Sequence, residues 1–238
     1  MVEASEIFDI TNIQQGIIRI NLTSENKKTK VMIQKNNTTY YYNINADKDV
    51  FPLQMGSGAY QLAFLEQVEG NKYEIKNSES IQVKLKDDEI PFLQSASPVY
   101  WHKDSEAVKM AVKLSESMDT DEKKAYAIYD YITKNIKYDK NKIAGLEPDY
   151  IPSVDEILSS SKGICYDYAA MLRSINIPAK LVKGYKNDID TYHAWNEVYL
   201  QQQGWVTIDA TYDAVMLENG TSSEFLKDTG DYKKEKEY

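Results

Sequence analysis

Between residues 16 and 85 apolar side chains recur at every second position: Ile18, Ile20 and Leu22, then Val31 and Ile33, then Tyr60, Leu62 and Phe64, then Ile81, Val83 and Leu85. A period of two puts alternate side chains on one face of an extended chain, so these runs predict strands with one buried face. The stretches between them, SENKK, KNN, NADKD, MGSG and EGNK, are rich in turn formers, and their spacing predicts a small antiparallel sandwich of Ig-like type. Residues 86–98, KDDEIPFLQSASP, combine a charge run with two prolines and read as a linker.

The period then lengthens to that of helices. Ala107, Ala111, Leu114 and Met118 form one stripe, with Asp104 or Ser105 as its cap. Ala125, Ile128, Tyr129, Ile132 and Ile136 form a second, opened by Thr120 with Asp121 and Glu122 in the first turn, where the helix dipole favours them. A shorter helix is predicted from Ser153, where Glu156 completes a capping box, and another over residues 166–176, stopped by Pro178. Strands are predicted at 179–185, 192–200 and 205–209. Beyond Ala210 the chain reads as loop, ending in a frayed charged tail, DYKKEKEY. Helices followed by a sheet predict an α+β layer rather than alternating βαβ units. The expected division is an all-β domain over 1–90 and an α+β domain over 91–238.

Composition narrows the partners. Lys and Arg number 28 against 37 Asp and Glu, a net charge of -9, with no basic stripe, so nucleic acid is a poor partner. No apolar run approaches the roughly 20 residues of a membrane span. The first residues, MVEASEIFDI, lack the pattern of a signal peptide. One Cys and two His are too few for a structural zinc site or an internal disulfide, so no metal and no cofactor is expected and the thiol is free.

That thiol sits in KGICYDYAAML. Gly163 supplies a tight turn, and Cys165 then falls in the first turn of a helix, where unpaired N–H groups and the dipole favour a thiolate and can also bind an oxyanion. The competing reading is a small buried hydrophobe. His193 opens the strand YHAWNEVYL, sharing a face with Trp195, Glu197 and Tyr199, which places the imidazole at the end of a sheet able to pack on the Cys165 helix. After the short QQQG turn, WVTID returns antiparallel, so Asp209 comes back beside His193 and can orient its imidazole. Taken alone, His193 is equally a packed strand residue and Asp209 a strand-end turn residue. Asp167 and Asp213, which flank these motifs, read as solvated or capping side chains, and His102 as a surface residue. The 19 tyrosines read as packing aromatics.

The blocks GICYDYAAMLRSINIPAKLVKGY, HAWNEVYL and GWVTIDATYD together resemble the transglutaminase-like superfamily, over roughly residues 125–213. The resemblance implies a papain-like α+β core in which Cys165 is the nucleophile, His193 the base and Asp209 its partner. It implies a thiol acyl-transfer enzyme acting on protein amide or peptide bonds through a thioester. A cysteine protease or amidase is expected, with a protein-crosslinking transglutaminase or a non-catalytic cell-surface binding module as alternatives. Tyr138 and Trp101 are candidate oxyanion donors, each also readable as a packing aromatic. The all-β neighbour and the acidic balance suggest a secreted or surface-associated bacterial protein, with the cytosol as the alternative, and a protein or peptide as substrate.

Overall fold

The structure, a computed structural model, describes residues 7–21, 28–45, 49–136 and 164–238. It forms two compact units, Met1–Ser97 and Pro98–Tyr238.

The first unit is antiparallel β. Strands β1 (Phe8–Asp9), β2 (Ile17–Ile20) and β5 (Val50–Pro52) pair in one sheet. The other has the order β4-β3-β6-β7, with β3 at Thr29–Lys35, β4 at Thr38–Ile44, β6 at Gly58–Glu69 and β7 at Lys72–Val83. Alternation sets the faces: Val31, Ile33, Leu62 and Ile81 point into the core. The sequence pattern passed over β4 because its TTYYYNI run carries an aromatic body on both faces; Tyr40 and Tyr42 are buried while Tyr41 between them is exposed. Residues 86–98 are more than a spacer. Pro91, Phe92, Ala96 and Ser97 are buried, and the Ser97 N–H donates to the Val50 carbonyl at 2.8 Å.

The second unit is α+β. Helix α1 (Glu106–Ser115) is capped by Ser105, whose hydroxyl accepts from the Val108 N–H, and α2 (Asp121–Asn135) by Thr120, which accepts from Lys123 N–H. Helix α3 (Ile164–Ser174) is followed by β8 (Ala179–Lys186), β9 (Ile189–Leu200) and β10 (Gly204–Ile208). Val198 and Leu200 of β9 join α2 and α3 in one core with Ile128, Ile132, Tyr168 and Leu172. The helix expected from Ser153 lies outside the described residues.

The expectation of loop beyond Ala210 is corrected. Residues Ala210–Glu218 form helix α4, capped by Asp209, and Tyr232–Glu237 form a strand, β11, at the edge of a sheet ordered β10-β9-β8-β11. The charge-rich tail is ordered because its charges are paired. Lys234 binds Glu197 at 2.9 Å and Glu237 at 2.8 Å, and Lys180 binds Glu237 at 3.1 Å. The backbone of Tyr238 exchanges two hydrogen bonds with Leu181, and Arg173 donates to its carbonyl at 2.8 Å.

Gly184 on β8 lets this tail dock. A Cβ there would overlap the Lys233 carbonyl oxygen and stand 3.0 Å from the Trp195 ring. Gly184→Ala is therefore expected to cost ~1–3 kcal/mol, as overpacking does. Thermal unfolding with and without the substitution checks this, together with hydrogen exchange, which should rise selectively in β11.

Candidate active site

The β9–β10 hairpin pairs Gly204 with Leu200 and Ile208 with Asn196, so the residue after Ile208 arrives beside the start of β9. The first central fact of the site follows from that register: His193 Nε2 lies 2.7 Å from Asp209 Oδ2. Asp209 is fully buried and the imidazole nearly so. The carboxylate is fixed from two further directions. Its Oδ1 accepts the Tyr212 N–H at 3.0 Å as the cap of α4, and Oδ2 also accepts the Tyr232 hydroxyl at 3.1 Å. With Nε2 given to Asp209, the imidazole keeps Nδ1 for exchanging a proton with a reacting group. The ring stacks on Trp195, at 6.3 Å between centroids and 22° between planes.

Cys165 is the second residue of α3, in the turn that carries unpaired N–H groups, and it is buried. Its own N–H and the Thr211 hydroxyl favour the thiolate, as does the field of Lys183, while the Asp209 carboxylate opposes it. Thr211, in the first turn of α4, has a buried hydroxyl that makes no hydrogen bond of ordinary geometry among the described residues, and its influence on the sulfur is electrostatic. Burial outweighs these contacts and pushes the thiol up to about 12. The resting thiol is thus neutral, which corrects the expectation of a thiolate drawn from helix position alone. Among the described residues no hydrogen bond joins the thiol to the imidazole. The two are linked through Asp209, which binds the ring directly and, by capping α4, sets Thr211 against the sulfur.

Strand β9 meets α3 with one face. The side packed on α3 is that of Ala194, Asn196, Val198 and Leu200, and the Asn196 amide donates to the carbonyls of Cys165 at 2.9 Å and Lys180 at 3.0 Å. His193, Trp195 and Glu197 stand on the other side. Both faces carry apolar residues, so alternation could not choose between them. Asn196 pins the first turn of α3 to the sheet.

Asp167 and Asp213, expected to be solvated or capping, are completely buried. Asp213 accepts the Tyr129 hydroxyl at 2.8 Å and the Lys227 ammonium at 2.6 Å, tying α2 to α4. Trp101 packs against the core and His102 is exposed. Gly163 and Tyr138 lie outside the described residues. Sequence reasoning missed Thr211, Tyr212 and Tyr232. The first two follow from Asp209 serving as a helix cap, a role that the Asp-Ala-Thr-Tyr-Asp run permits; Tyr232 was hidden in the supposed tail.

Residues 108–210 match the family model described as the transglutaminase-like superfamily. That segment is transglutaminase-like. It contains Cys165, His193 and Asp209, and ends at the first residue of α4. Two curated relatives align with the chain. An uncharacterized protein of Bacillus subtilis, YebA, is 33% identical over 150 residues, covering 51% of this chain and 19% of its own length. A protein-glutamine gamma-glutamyltransferase of Pseudomonas aeruginosa is 33% identical over 100 residues, covering 32% of this chain and 15% of its own. The chain thus spans less than a fifth of either relative. Among solved structures, the periplasmic domain of TgpA from Pseudomonas aeruginosa aligns over 88% of this chain and 96% of that one, at 15% identity and a TM-score of 0.41.

Proposed function

We propose that this chain is a thiol-dependent acyl-transfer enzyme that cleaves an amide or peptide bond of a protein substrate, with Cys165 as nucleophile, His193 as base and then acid, and Asp209 as its orienter. The observation that carries the proposal is the 2.7 Å contact between His193 Nε2 and a fully buried Asp209, whose helix cap also sets Thr211 on the thiol. A buried carboxylate on one imidazole nitrogen fixes the tautomer and stabilises the imidazolium, so the free Nδ1 becomes a competent base.

Because the resting thiol is neutral, its proton leaves as the sulfur attacks. Substrate binding brings sulfur and Nδ1 into range, as in sites whose catalytic hydrogen bonds close only in the complex. The sulfur bonds to the carbonyl carbon, its proton passes to His193, and the oxyanion draws on the N–H groups of the first turn of α3. Collapse breaks the C–N bond, His193 returns the proton to the departing amine, and a thioester remains. Water then resolves it. A second reading, resolution by a lysine amine, is supported by the gamma-glutamyltransferase among the relatives.

Incubation with casein and a labelled primary amine tests both. New peptide termini without incorporated label, lost in Cys165→Ala, are the expected result. Label incorporated without new termini would favour crosslinking. Neither product at any enzyme concentration would leave a binding module in place of an enzyme.

A further inference from the structure

We infer that Tyr232 is a positioning residue of this site, supplied by a strand outside the transglutaminase-like segment. The inference rests on the proposed role of Asp209, and deepens it. Tyr232 opens β11, about twenty residues beyond the matched segment, which ends at residue 210. Its hydroxyl donates to the same Asp209 oxygen that holds His193 Nε2, at 3.1 Å and 2.7 Å respectively. Its ring packs on Trp195 at 5.0 Å, and Trp195 in turn stacks on the imidazole. One side chain therefore holds the carboxylate by its hydroxyl and, through Trp195, the imidazole by its ring.

Two donors on one carboxylate oxygen divide its charge. The phenol is held well above its ordinary range by burial and by the Asp209 charge, so it donates at every working pH. Other titratable groups around the pair are Cys165 on α3, Tyr212 and Asp213 on α4, Lys186 at the end of β8 and Asp188 just beyond it; Lys186 lies over the Tyr212 and Tyr232 rings. Of these, Tyr212 bonds to the Asp209 carboxylate through its backbone N–H, and the Asp213 N–H donates to the Asp209 backbone carbonyl at 3.1 Å, away from the carboxylate. Loss of the Tyr232 hydroxyl concentrates the carboxylate charge on His193, which favours the imidazolium and so makes Nδ1 slower to release its proton to the leaving group.

The test is Tyr232→Phe, which keeps the ring on Trp195. The chain has two histidines, and exposed His102 serves as an internal reference for an NMR titration of the imidazoles. The expected result is an upward move of the His193 midpoint by about one pH unit relative to the unsubstituted protein, with His102 unmoved. Turnover is expected to fall roughly tenfold at neutral pH with KM little changed. An unmoved His193 midpoint in a folded Tyr232→Phe protein overturns the inference, and so does unfolding of that variant, because the hydroxyl would then be serving the fold. If the midpoint moves but the unsubstituted protein turns over no substrate, the positioning role stands and the catalytic reading fails.

Discussion

Asp209→Asn is expected to lower turnover by about 10⁴ while leaving the fold intact, the size of effect seen when a triad carboxylate becomes an amide. Asp209 does two jobs that this substitution separates. It caps α4 through Oδ1 and the Tyr212 N–H, and Asn is as good a cap as Asp. It also accepts the His193 Nε2–H and the Tyr232 hydroxyl as hydrogen-bond donors on Oδ2. An amide can accept at that position only through its carbonyl, without the charge that stabilises an imidazolium, and an amide turned the other way presents N–H to a nitrogen that should itself be a donor. The imidazole then takes the wrong tautomer or loses its partner. Asp209→Ala removes the cap as well, adding a loss of ~1 kcal/mol in stability. Steady-state kinetics together with thermal unfolding of both variants check the distinction. Retention of more than about a tenth of the activity in Asp209→Asn would mean that the carboxylate is a structural cap alone.

The parts of this architecture that sequence discloses are those where one local rule acts without competition. Helices α1 and α2 open at Ser105 and Thr120 because a capping side chain, an acidic first turn and a 3.6-residue stripe coincide. The return of Asp209 to His193 follows from a three-residue turn and antiparallel register. Where two rules compete, sequence is silent. Strand β9 is apolar on both faces, so the side that meets α3 is decided by Asn196 finding two backbone carbonyls. The DYKKEKEY tail looks soluble because its lysines and glutamates have no visible partners in the sequence; Lys180 and Glu197, dozens of residues away, complete the pairing that turns it into a strand. Cys165 shows the same competition at a single atom. A helix N-terminus lowers a thiol and burial raises it, and only packed coordinates reveal that burial is the larger effect here.

The consequence of that last balance is a reactivity prediction. Burial lifts the Cys165 thiol from an ordinary 9.0 to about 12, so at neutral pH the thiolate is scarcer than in an exposed cysteine by a factor on the order of a thousand. Iodoacetamide, which reacts with thiolate, is expected to label the resting protein more slowly than free cysteine by a factor on the order of a thousand. Its rate should climb about tenfold per pH unit from 6 to 9 without a plateau. A preformed thiolate–imidazolium pair would instead give a fast plateau from mildly acidic pH that disappears in His193→Gln. With no hydrogen bond between sulfur and ring, His193→Gln is expected to label at the same slow rate as the unsubstituted chain. The pH window is bounded by stability: a group whose folded value lies above its unfolded one stabilises the fold below pH 9 and loses that contribution as pH rises from 9 toward 12, so above 9 labelling reads thiol titration and local opening together. A plateau below pH 7 would show that the sulfur is already ionised against the ring. The expected slow, unsaturated profile would place activation of the thiol in the substrate-bound state of the proposed mechanism, where sulfur and Nδ1 close on each other and exclude water from the reacting carbonyl.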